Sequence, residues 1–297
     1  MAEKPVKDST LETYRERIQA VLDHIQNHLD QEHSLDDLGA RACFSSYQFH
    51  RVFRGMVGEP VAEYIRRLRL ERAGARLSQS CRSVTDIGLE AGYETLESFI
   101  RAFKQRFGVS PSRFRVLRQE QVVRLMARDF SPSLHPTKSG GSMNVRIEKQ
   151  EARKVAFVRH IGPYKDCGKA WEALCRWAGE KGLLGPGTQY FGLCYDDPDV
   201  TPGDKIRYDA CVTIEQTISA EKDIGVQEIP AGCFAVTIHE GPLEKISETY
   251  VKLCGEWLPK SGWEAKHAPN LEIYLNSPET TPPEKLRVEI QLPLEER

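Results

Sequence analysis

The stretch SYQFHRVFRGM, residues 46–56, gathers side chains whose types suit contact with nucleic acid. Wound as a helix, it sets Tyr47, His50, Arg51 and Arg54 on one face at i, i+3, i+4 and i+7, with Phe49, Val52, Phe53 and Met56 opposite. Arg51 could read guanine O6 and N7 bidentately and His50 could donate or accept at a base edge. Tyr47 could touch a thymine methyl, and Arg54 could hold a phosphate. The pattern then returns: Phe49, Arg51, Phe53 and Gly58 recur as Phe99, Arg101, Phe103 and Gly108 in the segment YETLESFIRAFKQRFGVSPSRF. A second kind of chemistry sits in NLEIYL, residues 270–275. As a strand it puts Leu271, Ile273 and Leu275 on one face and Glu272 with Tyr274 on the other. One carboxylate among aromatic rings suits a bulky cation, and it could also serve as a general base or nucleophile.

The elements that must position these groups are legible in the period and the caps. Tyr14, Ile18, Val21, Leu22, Ile25 and Leu29 mark one face of a first helix. Ser34 caps LDDLGARACF, and Ser45 opens the helix that stops at Gly58. Pro60 opens a longer helix over about residues 60–78, carrying Val61, Tyr64, Ile65, Leu68 and Leu77 inward. Ser83 or Thr85 starts VTDIGLEAGY, Thr95 starts the second copy of the reading helix, and Ser110-Pro111 opens a last one. The order is helix, turn, helix, twice, joined by a helix, and helix-turn-helix units of this kind insert their second member into the major groove. The connecting helix would span roughly 28 Å at about 1.5 Å per residue, close to the roughly 34 Å between successive major-groove faces.

Residues 128–143, RDFSPSLHPTKSGGSM, lose the helical period and read as a linker. Beyond it the period shortens toward two, with strands expected over 144–150, 154–160, 190–195 and 207–215 and a helix over 165–181. The order then repeats: HIGPYK at 160 returns as HEGPLEK at 239, and DPDVTPGDKIR at 197 as SPETTPPEKLR at 277. The repeat is two strands, a helix and two strands. It predicts an α+β domain of duplicated strand-helix-strand-strand units in an antiparallel sheet with two helices on one side. The residue equivalent to Glu272 is Gly192, so the charge is not duplicated. Arg287 is a candidate salt-bridge partner for Glu272. Trp171 and Tyr164 are candidate ligand contacts, with Tyr250 beside them, although aromatic stripes on helices usually pack. His160 and His239, each followed by Gly-Pro two residues on, read as turn chemistry.

Charge separates the halves. Residues 41–118 carry 15 Lys and Arg against 7 Asp and Glu, in a chain of net charge −2. A basic segment of this kind faces a polyanion or forms a solvated helical face. The eight cysteines are scattered with no metal-ligand spacing, so no metal or cofactor is expected. The start, MAEKPVKDSTLETYRER, contains no apolar run, which points to a cytoplasmic protein with no membrane partner.

Residues 14–118 resemble the DNA-binding domain of AraC-type transcription regulators, most closely in TDIGLEAGYETLESFIRAFKQRFGVSPSRF, residues 85–114. The resemblance implies a seven-helix domain whose third and sixth helices read adjacent major grooves of promoter DNA. It assigns groove-facing roles to Ser46, Tyr47, His50, Arg51 and Arg54, and to Leu96, Glu97, Ile100, Arg101 and Lys104. Residues 144–293 resemble the GyrI-like effector domain of multidrug-responsive regulators. That resemblance implies a saddle-shaped sheet with helices on one face and a ligand cleft on the other, centred on an acidic residue, here Glu272 beside Tyr274. The expectation is thus a multi-domain chain: an all-α DNA-binding domain over 11–127, a linker over 128–143 and an effector domain over 144–297. Its partners would be double-stranded DNA, a small amphipathic cationic or aromatic effector, and RNA polymerase as a further candidate. The alternative is a hydrolase of electrophilic small molecules that uses Glu272.

Overall fold

The computed structural model describes residues 6–117, 121, 122, 125, 143–185, 187–215, 218, 221, 223–277 and 280–296. The expected linker over 128–143 lies outside them except for Met143. Two compact units are distinguished, one of residues 12–138 and one of residues 139–297 with 1–11. Among the described residues no helix is long and apolar enough to cross a membrane.

In the helical part, α1 is Val6–Asn27, α2 Leu35–Arg41, α3 Ser46–Val57 and α4 Val61–Gln79, followed by α5 Val84–Glu90, α6 Leu96–Phe107 and α7 Pro111–Arg115. Local chemistry sets most of these boundaries. The side chains of Ser34, Ser45, Ser83, Thr95 and Ser110 each accept the backbone N–H three residues on, each worth about 1 kcal/mol to its helix. Of the two starts open for α5, Ser83 is the cap. Both α3 and α6 run 12 residues and stop at a left-handed glycine, Gly58 at φ 88° and Gly108 at φ 74°. In the turn before each, Gly92 takes φ 85° whereas its counterpart Cys43 takes φ 57°. Helix α4 serves two cores. Tyr64 packs edge-on to Phe53, which touches Phe49, while Leu70, Ala73 and Leu77 join Phe99, Phe103, Phe107 and Phe114.

The other unit is one antiparallel sheet in the order β1-β6-β8-β7-β3-β4-β2-β5. Its strands are β1 Arg146–Gln150, β2 Arg153–Ile161, β3 Tyr190–Cys194, β4 Arg207–Thr213, β5 Ile224–Ile229, β6 Gly232–Glu240, β7 Asn270–Tyr274 and β8 Arg287–Leu294. Exchanging the two copies reverses this order onto itself, so a pseudo-twofold axis passes between β3 and β7. Each copy lends its first strand to the other: β1 pairs with β6, and β5 with β2. Beside the axis, Gly192 and Glu272 are direct cross-strand partners, so each residue faces its own repeat equivalent.

The first copy supplies α8, Gly168–Glu180, and the second supplies α9, Ile246–Lys252, a π turn over Leu253–Trp257 and the short α10, Leu258–Ser261. Helix α8 lays Ala170, Leu174 and Ala178 on Ala156, Val158, Ala210 and Val212 of the sheet. Gly192 pairs with Ala210, and Glu272 with Gly192, so strand alternation puts Glu272 on this same helix-covered face. The expected cleft on the face opposite the helices therefore does not contain Glu272. That opposite face carries its own apolar cluster of Val155, Phe191, Leu193, Cys211, Phe234, Val236 and Leu271.

Candidate functional site

All ten residues assigned to DNA lie on α3 and α6. On α6, Glu97, Arg101 and Lys104 are exposed, and Leu96 and Ile100 are half-buried. On α3, helical spacing sets Tyr47, His50, Arg51 and Arg54 on the side opposite the core residues Phe49, Val52, Phe53 and Met56. Arg51 lies along its own helix: its Nη1 donates to the Tyr47 hydroxyl at 2.7 Å and its guanidinium stacks over that ring at 4.2 Å. Ser46 donates to Asp36 on α2 at 2.6 Å, which ties the reading helix to the helix before it.

The second candidate site is built around Glu272, which is 9% exposed. Its Oε1 accepts a hydrogen bond of 2.9 Å from the hydroxyl of Tyr250 on α9. Arg287, the expected salt-bridge partner, instead pairs with Glu240 at 3.1 Å, because strand alternation turns it to the other face. A chain of aromatic groups lies beside the carboxylate. The Trp171 indole N–H donates to the Tyr208 hydroxyl at 3.2 Å, and that hydroxyl shares a 3.1 Å hydrogen bond with Tyr274. Trp171 stands edge-on to Tyr274 at 5.9 Å, and Tyr164 edge-on to Tyr208 at 5.7 Å. The Tyr164 hydroxyl is anchored on the Asp196 carbonyl at 2.7 Å. The structure thus brings Tyr164, Trp171 and Tyr274 together and adds two groups, Tyr208 and Tyr250. Tyr250 sits on a helix stripe of the kind that usually packs, and Tyr208 lies inside β4. The mutual spacing of Trp171 and Tyr250 in the two repeat copies was the available signal.

Electrostatics follow from burial and from the single charge. Burial pushes the Tyr274 hydroxyl well above its ordinary pKa, and the Glu272 carboxylate adds to the effect. Burial raises Tyr208 likewise, with Tyr274 beside it. Both phenols therefore stay protonated and act as neutral donors. The arrangement offers one negative charge, aromatic ring edges and faces, and hydroxyl groups. On the other side of the axis, Gly192 makes room for the Tyr208 ring. A Cβ there would lie 2.3 Å from the Tyr208 hydroxyl oxygen, so only glycine lets that ring lie across the strand.

The histidines of the repeated turns have structural partners. His160 Nε2 bonds the Pro163 carbonyl and His239 Nε2 the Pro242 carbonyl, both at 3.1 Å. On the opposite sheet face, Asp209 is fully buried and receives Arg159 bidentately at 2.7 and 2.8 Å, Tyr195 at 2.9 Å and Gln227 at 3.2 Å. Burial, reinforced by the Asp209 charge, pushes Tyr195 up to about 12.

Comparison with known proteins agrees with this division. Residues 143–295 match the GyrI-like small molecule binding domain, and residues 38–116 match a helix-turn-helix domain. The chain is 34% identical over 98 residues to the right origin-binding protein of Escherichia coli (strain K12), covering 33% of this chain and 34% of that protein. It is 36% identical over 99 residues to the HTH-type transcriptional activator AarP of Providencia stuartii, covering 33% of this chain and 73% of that one. The chain thus spans about a third of the length of the right origin-binding protein. Among solved structures, the EcmrR C-terminal domain matches with a TM-score of 0.43 at 20% identity, over 52% of this chain and 99% of that one.

Proposed function

Because the chain belongs to the GyrI-like small molecule binding domain family, here joined to an AraC-type helix-turn-helix domain, we propose that it is a sequence-specific DNA-binding transcription regulator controlled by a small amphipathic cation. The observation that carries the DNA reading is the duplicated unit: α3 and α6 have equal length, side-chain caps of the same kind and the same glycine stop. Arg101 and Lys104 supply cations at the open face of α6, and Tyr47, Arg51 and Arg54 supply them with an aromatic ring on α3. Affinity for a promoter duplex is expected to fall steeply with salt, because each phosphate contact releases a counterion. A flat salt dependence in a titration would sink the DNA reading.

The ligand reading rests on Glu272 beside the aromatic chain. A carboxylate that is mostly removed from water gains most from a cation that arrives already desolvated and able to lie against rings. Replacing Glu272 with Gln is expected to weaken binding of an aromatic quaternary ammonium dye roughly tenfold while leaving a neutral dye of the same size unaffected. Calorimetry showing equal losses for both dyes would reject the cation. Turnover of electrophilic esters that Glu272→Gln abolishes, with dye binding retained, would instead establish the hydrolase alternative. Effector binding would act by favouring one arrangement of the protein over another, changing how well it engages DNA or RNA polymerase.

A further inference from the structure

Between the carboxy-terminal ends of the two reading helices lies a cleft of about 740 Å³, lined among others by Val57, Glu59, Arg67, Leu70, Ala102 and Arg106. An alternating row of charges runs along it. Glu59 directly follows Gly58, the residue that stops α3. Arg67, on α4, donates Nη2 to Glu59 Oε1 at 2.6 Å and Nη1 to Glu71 Oε1 at 3.3 Å. The same Glu71 oxygen accepts Nη2 of Arg106, in the last turn of α6, at 3.0 Å. These side chains are shielded, with 12% of Arg67, 14% of Arg106 and 22% of Glu71 exposed. Each guanidinium also lies near an aromatic ring of the core on its own side. Arg67 is 5.0 Å from the Tyr64 ring centre, and Arg106 is 5.3 Å from that of Phe107.

We propose that Glu71 is a positioning residue that sets the angle between α3 and α6, and through it the spacing of the two DNA half-sites the protein accepts. The proposal rests on the DNA reading above. Helix α4 is held in the first core by Tyr64 and in the second by Leu70, Ala73 and Leu77. Those contacts are apolar and non-directional, and they permit α6 to pivot about α4. The shared carboxylate removes that freedom, because charge-assisted hydrogen bonds fix direction as well as distance. Without it, two guanidinium groups would face each other across a partly desolvated cleft, where repulsion is stronger than in open water. Spacing is sensitive to such a pivot, since one base pair advances the groove by about 3.4 Å and turns it by about a tenth of a helical turn.

The test uses the full chain and a duplex that the wild-type protein selects from a random library. Copies of that duplex with one base pair inserted or removed between the half-sites complete the set. The wild type is expected to prefer the selected spacing. Glu71→Gln is expected to reduce that preference roughly three- to tenfold, an effect of the size seen for coupled charge pairs. Glu71→Asp, which keeps the charge but shortens the reach, is expected to fall between and covers the case in which the glutamine variant does not fold. An unchanged preference in the folded variants overturns the proposal, as does an equal loss at every spacing, which is what a merely structural role would give. A wild-type protein that selects no duplex fails at the DNA reading, whereas one that selects a duplex but tolerates every spacing fails at this inference alone.

Discussion

Across the pseudo-twofold axis of the sheet, the first copy sets Gly192 under the Tyr208 ring, while the second sets Glu272 against the Tyr250 hydroxyl. On the reverse face the roles exchange. The first copy buries Asp209 completely among four donor atoms, whereas its equivalent Glu289 keeps 14% of its side chain exposed and pairs with the half-exposed Arg146. Two like carboxylates at the axis would repel across adjacent strands. The duplicated framework thus keeps one buried acid on each face, in opposite copies. The helix-covered acid accepts the Tyr250 hydroxyl beside a chain of aromatic rings and is read as the ligand site, and the other is held by an arginine, a tyrosine and a glutamine and reads as structure.

The largest effect expected from this contrast is at Asp209. Asp209→Ala is expected to cost about 3 kcal/mol in urea unfolding, because it strands a tyrosine, an amide and a guanidinium together. Glu289→Ala is expected to cost about 1 kcal/mol, because its partner Arg146 is half exposed and Glu289 otherwise accepts from the neutral Gln291 amide. Equal costs would break the comparison. Next in size is Gly192→Ala, expected to cost about 2 kcal/mol by driving a methyl into a buried ring. Combining it with Tyr208→Val, which installs the residue type found at the equivalent Val288, should cost less than the two changes summed. Additive costs would show that Tyr208 does not enforce the glycine. The smallest effect concerns the other duplication. Cys43 holds the left-handed conformation that Gly92 holds in its copy, and Cys43 is exposed. Cys43→Gly is therefore expected to raise stability by roughly 1 kcal/mol, and a lower melting temperature would show that the side chain has a use.

What could be read in advance follows the range of the physics involved. A cap is decided within four residues, so Ser34, Ser45, Thr95 and Ser110 could be placed before any coordinates. The strand and helix periods and the repeat were equally local or self-similar. Two features were not legible. The exchange of β1 and β5 between copies depends on which distant edge each strand completes, and nothing in RIEKQ or IGVQEI encodes a partner. The face that carries Glu272 was fixed by parity within β7, but which face the helices cover depends on α8 packing against strands remote in sequence.

The π turn at Leu253–Trp257 records a piece of history. Between the His160/His239 pair and the Gly182/Gly262 pair, the second copy gains one residue relative to the first. An added residue in an α-helix would rotate everything after it by about 100°, yet Gly182 and Gly262 still end their helices in the same left-handed conformation. The wide turn takes up the surplus within a single loop of backbone. The insertion is therefore younger than the duplication, or was lost from one copy afterwards. The surplus lies one turn after Tyr250, whose hydroxyl donates to the Glu272 carboxylate. The sister copies could diverge in chain length without divorcing, because the helix stored the extra residue as a change of pitch.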